Sequence, residues 1–168
     1  RYMAVPAEST LIWTGRSAAG RHTGTLAMRE GTLIREGEGF KGLFTLAMDS
    51  IANADLAGTE LQAVLENHLK SDDFFFVSHF PTCTVEITDM APVPDAPATL
   101  PNFRVTAVMT LRGVAREIAF DAHLCPLAED RLALMAHLDL DRTLWGVLYG
   151  SARFFKYLSY HVVHDMIS

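Results

Sequence analysis

Seven histidines and one pair of adjacent aspartates are the residues of this chain whose types could support acid–base or metal chemistry. Only His161 and His164 lie close together in sequence, and their spacing does not match the zinc-binding signature that includes a glutamate general base. Asp72 and Asp73 could supply a carboxylate pair for proton transfer. A solvated turn at a helix end explains two adjacent aspartates more simply, and the spacing of these residues predicts no metal site.

The motifs that mark nucleophilic and nucleotide chemistry are missing from the sequence. We find no glycine-flanked serine elbow, no phosphate-binding loop and no cysteine with an evident histidine partner. Gly37-Glu38-Gly39 resembles the start of a glycine-rich loop, but it lies between two predicted strands, so we interpret it as a turn. The sequence therefore predicts a protein that is not an enzyme and has no catalytic residue, metal or cofactor.

The composition narrows both the class of protein and the class of partner. Hydrophobic residues make up 49% and charged residues 20%, which excludes a disordered chain. With 14 basic and 20 acidic residues the net charge is -6, which argues against nucleic acid and against an anionic membrane surface. No apolar stretch approaches the length of a membrane-spanning helix, so we expect no stable membrane insertion. The length fits a single domain, 1–168.

Aromatic residues form two groups that point to apolar binding. The first group follows a predicted helix and contains Phe74, Phe75, Phe76 and Phe80. The second is C-terminal and contains Trp145, Tyr149, Phe154, Phe155, Tyr157 and Tyr160. Core packing is the simpler role for any single ring, but together the rings exceed what a barrel plug needs, and an aromatic-lined cavity suits an apolar ligand.

Apolar residues alternate with polar ones along the second half of the chain, as in strands with one buried face. Two such runs flank Gly113 and predict a β-hairpin. Pro126 is expected to end the second run, because proline cannot donate to an interior ladder. A third run is predicted to extend through Leu132, Leu134, Ala136, Leu138 and Leu140.

The first half of the chain contains more glycine, but its apolar residues also alternate with polar ones. We predict strands at 11–15, 22–28, 32–35 and 40–49, with a turn at Gly31 and a bulge or bend at Gly42. Apolar residues that lie three and four positions apart predict one helix at 59–70, capped by Thr59 with Gln62. A strand resumes at Thr82, and a proline-rich loop at 91–102 follows.

These elements predict an all-β fold of about eight strands with one short α-helix. One short helix cannot cover the apolar faces of eight strands, so the sheet must close on itself as a barrel or a sandwich. An eight-stranded barrel has room for packed side chains or for one ligand. The alternation of inward and outward side chains along each strand, which we call strand parity, places Cys83 inside the barrel and Cys125 outside it. This predicts two free thiols.

Several motifs resemble those of the YceI-like family. The run 68–75, His-Leu-Lys-Ser-Asp-Asp-Phe-Phe, with Phe80-Pro81 shortly after it, is similar to the signature of that family. Trp13-Thr14-Gly15, the segment 44–51, Leu111-Arg112-Gly113-Val114 and the C-terminal aromatic segment extend the resemblance over nearly the whole chain. Ala115-Arg116-Glu117 departs from the family's usual Lys/Asn-Pro pair. The chain ends where the family continues its last strand, so we expect a less complete C-terminal seam.

The resemblance implies a single antiparallel lipocalin-like β-barrel with an internal tunnel. It also implies export to the periplasm or secretion, although no signal peptide is visible and a cytoplasmic location stays the alternative. The chain does not begin with Met, so we expect a segment upstream of Arg1. Family members bind polyisoprenoids, isoprenoid quinones or related amphiphiles, and several are homodimers.

The leading hypothesis is a non-enzymatic carrier that holds an apolar or amphiphilic small molecule of isoprenoid, quinone or fatty-acid type inside the barrel. Strand parity and the aromatic groups predict these lining residues: Phe44, Phe75, Val105, Ala107, Met109, Ile118, Phe120, Leu134, Leu138, Trp145 and Phe155. His22 or Arg16 is expected to meet a polar head at the barrel mouth. The alternative is a packed β-barrel that acts as a protein-interaction or stress-response module without a small-molecule ligand.

Overall fold

The computed structural model describes residues 1–156, 158 and 161–168. One α-helix, α1 (Glu60–Lys70), interrupts a series of antiparallel strands in this part of the chain. The strands are β1 (Tyr2–Met3), β2 (Leu11–Ser17), β3 (Gly20–Glu36), β4 (Gly39–Asn53), β5 (Thr82–Pro92), β6 (Phe103–Leu111), β7 (Val114–Ala128), β8 (Arg131–Ala136), β9 (Leu140–Asp141) and β10 (Met166–Ile167). The predicted aromatic residues Tyr157 and Tyr160 lie outside the described residues.

The main sheet has eight strands in the order β1-β3-β4-β5-β6-β7-β8, and β2 also pairs with β3. Every pairing is antiparallel, and β-bulges interrupt the register in β3, near Ile87 of β5 and near Pro126 of β7. Bulges increase the local twist, which lets the sheet curl. The result is a nearly closed antiparallel barrel, so the all-β barrel predicted from the alternation is confirmed.

The predicted hairpin is confirmed at β6 and β7. Its register runs from Phe103 opposite Ala122 to Leu111 opposite Val114, so the loop is Arg112-Gly113 alone. Both loop residues have positive φ, 50° and 73°, as a two-residue type I′ turn requires. Local turn chemistry and alternation were sufficient to place this pair of strands.

Two glycines predicted to turn or bend the chain lie instead inside regular strands. Gly31 pairs with Phe44 within β3, so the predicted strands 22–28 and 32–35 are one long strand, and the turn at Gly31 is wrong. Gly42 pairs with Leu33 and Ile87 without a bulge. A Cβ at Gly31 would collide with the Phe44 ring, and one at Gly42 with the Thr32 carbonyl oxygen. These glycines allow close approach between neighbours.

The prediction that Pro126 ends its strand is also wrong. Pro126 pairs with Leu132 of β8, and β7 continues to Ala128. The N–H of Leu124 donates to the side chain of Asn102, which precedes the first residue of β6. Pro126 lies two residues further along β7, so its nitrogen faces the same side of the strand as that of Leu124. At this point β7 extends past β6, so no ladder bond is lost. The third predicted run ends earlier than expected, since β8 stops at Ala136 and only the short β9 follows.

Helix α1 closes one end of the barrel. Leu65 and Leu69 pack against the barrel residues Leu46, Met48 and Met109 in a cluster that we call the cap cluster. Thr59 is the N-cap residue of α1, as predicted, but its hydroxyl donates to the Leu56 carbonyl and does not make the expected capping bond. In the described part of the chain, no helix is both long and apolar enough to cross a bilayer.

The C-terminal segment lies in the barrel seam. Thr14 of β2 and Ser168 exchange backbone hydrogen bonds of 2.6 and 3.1 Å, and His164 donates to the Arg16 carbonyl at 2.8 Å. On its other side the segment pairs through β10 with β9. The segment therefore connects β2 to the end of the sheet, and the seam is more complete than the sequence led us to expect.

Both cysteines are free thiols, as predicted. Cys83 points into the cap cluster with 1% of its surface exposed, and burial raises its pKa to about 12. A thiol held in its protonated form is a weak nucleophile, so Cys83 acts as a small apolar core residue.

Candidate functional site

The predicted lining residues differ in how deeply they are buried. Val105, Ala107, Met109 and Trp145 are buried, and Leu134 and Phe155 are 36% and 48% exposed. The others are partly buried: Phe44, Phe75, Ile118, Phe120 and Leu138. Their role in binding stays a prediction.

The barrel interior contains two apolar clusters. The cap cluster includes Met109 and Trp145, with Phe75 packed against it. The far cluster lies toward the other end and includes Val105 and Ala107, with Phe44 and Phe120 packed against it. Ile118 and Val85 contact both clusters. Ile118 of β7 therefore lies at the midpoint of the apolar interior.

A cleft opens in the barrel wall beside Ile118. Its volume is about 550 Å³, and we call it the seam cleft. The β7 residues that line it are Ile118, Ala119, Phe120, Asp121 and His123, and the facing residues are Pro101, Met135, Ala136, His137, Leu138, Asp139 and Leu140. Among the predicted lining residues, it brings together Ile118, Phe120 and Leu138.

The seam cleft runs along the edge of β7, and residues from both faces of that strand line it. Successive side chains of a strand point to opposite faces, yet the consecutive residues 118–121 all line the cleft. Ile118 and Phe120 pack against the interior, whereas Ala119 and Asp121 are exposed. A strand edge that is not covered by a neighbouring strand exposes both faces to the same cleft. The seam cleft therefore contacts the partly buried Ile118 and Phe120 as well as exposed residues.

The opening exists because β8 covers only part of β7. β8 pairs with β7 from Ala122 to Ala128, so among the described residues the edge of β7 before Ala122 has no strand partner on that side. After Ala136 the chain leaves the ladder and rejoins a sheet only at β9. The seam cleft lies in the space between them.

Polar groups surround the outer mouth of the seam cleft, and each of its two aspartates contacts a basic side chain. The Asp121 carboxylate accepts from Arg104 at 3.3 Å, and Asp139 lies 3.4 Å from the His137 ring. The Ser168 hydroxyl donates to Asp139 at 2.6 Å, and this bond is the main cause of a lowered Asp139 pKa. His123 donates from Nδ1 to the Leu100 carbonyl at 2.9 Å.

The sequence analysis missed most of this polar rim. It assigned no role in a site to His123, His137, Asp121 or Asp139. The alternation along β7 could not have identified the rim, because it does not show where the edge of this strand lacks a partner. A sequence signal for the early end of β8 is also missing, since Leu138 and Leu140 continue the alternation.

The residues predicted to meet a polar head, His22 and Arg16, have other contacts. His22 Nδ1 lies 2.7 Å from Asp55 Oδ2, and Arg16 donates to the Ser168 hydroxyl at 3.5 Å. The Thr23 backbone N–H, with help from His22 and Asn53, lowers the pKa of Asp55 to about 2. Neither residue lines the seam cleft.

Arg142 is a buried charge that the sequence analysis did not identify. It is 1% exposed and donates to the carbonyls of Val147, Tyr149, Val163 and His164 at 2.7 to 3.1 Å. Burial lowers its pKa, and the carboxylates of Asp165 and Asp141 oppose this effect. Its guanidinium joins the loop before residue 150 to the C-terminal segment. The role of Arg142 is therefore to hold the seam.

A smaller pocket of about 390 Å³ lies near the capped end and is lined by Tyr149, Gly150, Phe155, Leu158 and His161. The Tyr149 ring contacts the His68 ring edge-on at 4.6 Å, and His68 pairs with Asp73 at 2.9 Å. The signature segment 68–75 thus contributes to the cap. Among the described residues, no group of three or more His, Cys, Asp or Glu side chains could hold a metal ion.

Three solved structures share this fold at low sequence identity. BcnA from Burkholderia cenocepacia is 16% identical with a TM-score of 0.70, over 97% of this chain and 93% of that one. A polyisoprenoid binding domain from Saccharophagus degradans, implicated in plant cell wall breakdown, is 16% identical with a TM-score of 0.66, over 98% and 91%. A Campylobacter jejuni YCEI protein is 18% identical with a TM-score of 0.55, over 84% and 79%.

A search of curated proteins found no match to this chain. The sequence model of the YceI-like domain, in contrast, matches residues 2–167. The match covers the signature segment, the hairpin and the C-terminal segment in the seam. By the extent of that match, this protein belongs to the family of YceI-like domains.

Proposed function

We propose that this protein binds an apolar or amphiphilic small molecule, of isoprenoid, quinone or fatty-acid type, whose chain enters the barrel through the seam cleft. The observation that carries the proposal is the seam cleft at 118–121, which is lined by Ile118, a residue that packs against both apolar clusters. A volume of about 550 Å³ lies within the usual range of small-molecule sites.

Apolar contact supplies the affinity in this proposal. Burying an alkyl or isoprenoid chain contributes roughly 25 cal/mol per Å² of apolar surface, or about 0.8 kcal/mol per methylene group. Ile118, Phe120, Leu138 and Leu140 offer such a surface on the inner side of the seam cleft. The name of the Saccharophagus degradans domain, a polyisoprenoid binding domain, supports a ligand of this class.

The remaining expectations from the family resemblance belong to the same proposal. We infer a non-enzymatic carrier built as one domain over 1–168, exported to the periplasm or secreted, that forms a homodimer. The buried, protonated Cys83 thiol supports a binding role over a catalytic one, because a protonated thiol is a weak nucleophile.

A blocked opening tests the proposal. Ala119 is exposed and lines the seam cleft, so Ala119→Trp adds bulk there without disturbing the core. Purified protein would be examined by native mass spectrometry and by lipid extraction, then titrated with an isoprenoid alcohol. We expect the wild type to retain ligand and Ala119→Trp to bind at least about tenfold more weakly.

Ala115→Trp is the matched control, because Ala115 is exposed on the same strand but does not line the seam cleft. The control should bind as the wild type does. If the wild type binds none of the lipid classes, the proposed function is refuted. If both variants lose ligand binding equally, entry through the seam cleft is refuted.

A specific observation favours the alternative of a packed interaction module. Met90, Val105 and Ala107 are each 0% exposed, so much of the far cluster is filled by side chains. If the whole interior is filled in this way, the barrel has no room for a ligand. The substitution Phe120→Trp distinguishes the two functions, because an open interior tolerates the larger ring and a packed interior is destabilised by it.

A further inference from the structure

We propose that the seam cleft also holds the polar end of the ligand, and that this end is a neutral hydrogen-bonding group such as a hydroxyl or carbonyl, not a phosphate or carboxylate. This inference rests on the proposed function, and it specifies the head group that the ligand carries. It follows from the order of polar and apolar residues across the wall and from the charges at the outer mouth.

The lining of the seam cleft changes from apolar to polar across the wall. Ile118 and Phe120 pack against the interior, and Leu140 packs against the cap cluster. Asp121, His123 and His137 line the outer part. An amphiphile whose chain contacts Ile118 would therefore have its head group among these polar residues.

The charges of this mouth disfavour an anion. The described residues that line the cleft include two aspartates and two histidines but no lysine or arginine. The Arg104 guanidinium outside the cleft is already paired with Asp121. Arg16 contacts Ser168, which donates to Asp139 and helps to keep that carboxylate ionised. An anionic head would meet two carboxylates in a cleft whose described lining contains no arginine or lysine, whereas phosphate sites in proteins use arginine, lysine or helix N-termini.

Hydrogen-bonding groups of the rim suit a neutral head. The Leu100 carbonyl can only accept, so His123 must carry a proton on Nδ1, and in the neutral ring its Nε2 is an acceptor. The two carboxylates are acceptors as well. A hydroxyl group can donate to any of them. A carbonyl can accept from the His137 ring, which lines the cleft and is exposed.

A pair of ligands with one chain and two heads tests the inference. Geranylgeraniol and geranylgeranyl monophosphate would be titrated against the whole chain, by displacement of a fluorescent apolar probe below the concentration at which either forms micelles. We expect the alcohol to bind about tenfold more tightly than the phosphate, from the repulsion of charges several ångströms apart. Phosphate binding that is equal or tighter would overturn the inference and leave the proposed function intact. Binding of neither ligand would refute the proposed function itself.

Charge reversal at the mouth gives a second readout. The double variant Asp121→Lys with Asp139→Lys introduces two cations, so we expect the ratio of phosphate affinity to alcohol affinity to rise at least about tenfold. Asp49→Lys is the matched control, because Asp49 is exposed on β4 and does not line the cleft. Circular dichroism would establish that each variant folds, and Asp121→Lys alone would replace the double variant if the loss of the Asp139–Ser168 bond unfolds the seam. A ratio that rises no more than in Asp49→Lys would contradict the placement of the head group.

Discussion

At the scale of single residues, polar side chains hold the barrel together where strand pairing ends, and they include the buried Arg142 and the exposed Asp55. Arg142 donates to carbonyls of the C-terminal segment and of the loop that contains Val147. Asp55 accepts from the Thr23 backbone and from Asn53, which ties the start of β3 to the end of β4. A buried group such as Arg142 contributes stability only while each donor has its acceptor, because an orphaned buried polar group costs about 1–3 kcal/mol.

Replacing Arg142 should destabilise the fold substantially. In Arg142→Met the side chain stays long and apolar, but the carbonyls of Val147, Tyr149 and Val163 lose their donor. We expect a loss of about 3 kcal/mol in the free energy of unfolding, measured by urea denaturation. Arg29→Met, at an exposed position of β3, is the control and should change stability by less than about 0.5 kcal/mol. An Arg142→Met protein as stable as this control would show that the guanidinium does not hold the seam.

The contribution of Asp55 should depend on pH. Its pKa is about 2 in the folded protein against an ordinary value of 3.8, so the folded protein favours the ionised form. A lowered pKa stabilises the fold above the unfolded pKa, and this stability is lost as the pH falls from about 4 to about 2. Because the side chain is 32% exposed, solvent screening reduces the contribution to about 1 kcal/mol.

Unfolding of the wild type and of Asp55→Asn in urea would be compared from pH 7 down to pH 2. The difference between them should be constant above pH 5 and should shrink below pH 4. Asp49→Asn provides the same loss of charge at an exposed site on β4. A difference that stays constant down to pH 2 would mean that the Asp55 contacts do not depend on its charge.

At the scale of elements, alternation located the strands, and close contacts between strands decided how long each one is. β3 is a single strand of 17 residues because Gly31 fits against Phe44 where we expected a turn. β8 ends at Ala136 although the alternation continues, because the next residues leave the β7 ladder. The period of a segment identifies a strand, but the length over which a partner is present depends on the rest of the chain.

Gly24 of β3 should tolerate no side chain. A Cβ at this position would collide with the Ala52 carbonyl oxygen and with the Trp13 ring. Backbone cannot move aside as a flexible side chain can, so we expect Gly24→Ala to lower the free energy of unfolding by about 2 kcal/mol or more. Thermal unfolding of this variant would be compared with that of Gly15→Ala, because a Cβ at Gly15 has no neighbour within 4 Å. Similar melting temperatures for the two variants would contradict the close packing of β2, β3 and β4 at Gly24.

At the scale of the whole molecule, the main question is whether the barrel interior can admit a chain. The far cluster has side chains with no exposed surface, whereas Ile118 and Phe120 lie beside a cleft of about 550 Å³. A barrel of eight strands can accommodate either packed side chains or one ligand. Phe120 is placed to distinguish these states, because it contacts the far cluster and also lines the cleft.

Phe120→Trp should be tolerated if the interior is open beside the seam cleft. The larger ring would extend into the cleft, and we expect stability to change by less than about 0.5 kcal/mol while isoprenoid affinity falls. In a fully packed barrel the same substitution would cost about 1–3 kcal/mol. Phe103→Trp is the comparison, because Phe103 packs against the far cluster but does not line the cleft. Equal destabilisation of both variants would favour the interaction module.

The sequence by itself determined the fold class, the β6–β7 hairpin, the helix near 60–70 and the family, because each depends on local period, turn chemistry or a contiguous motif. It also placed Val105, Ala107 and Met109 in the interior, since parity within β6 is sufficient for that. The partners of Arg142 and the opening at 118–121 were decided by the tertiary structure alone. Both depend on segments far apart in sequence: β8 stops before it covers β7, and the C-terminal segment pairs with β2. No local pattern records where two distant strands stop pairing, and the candidate site lies at that place.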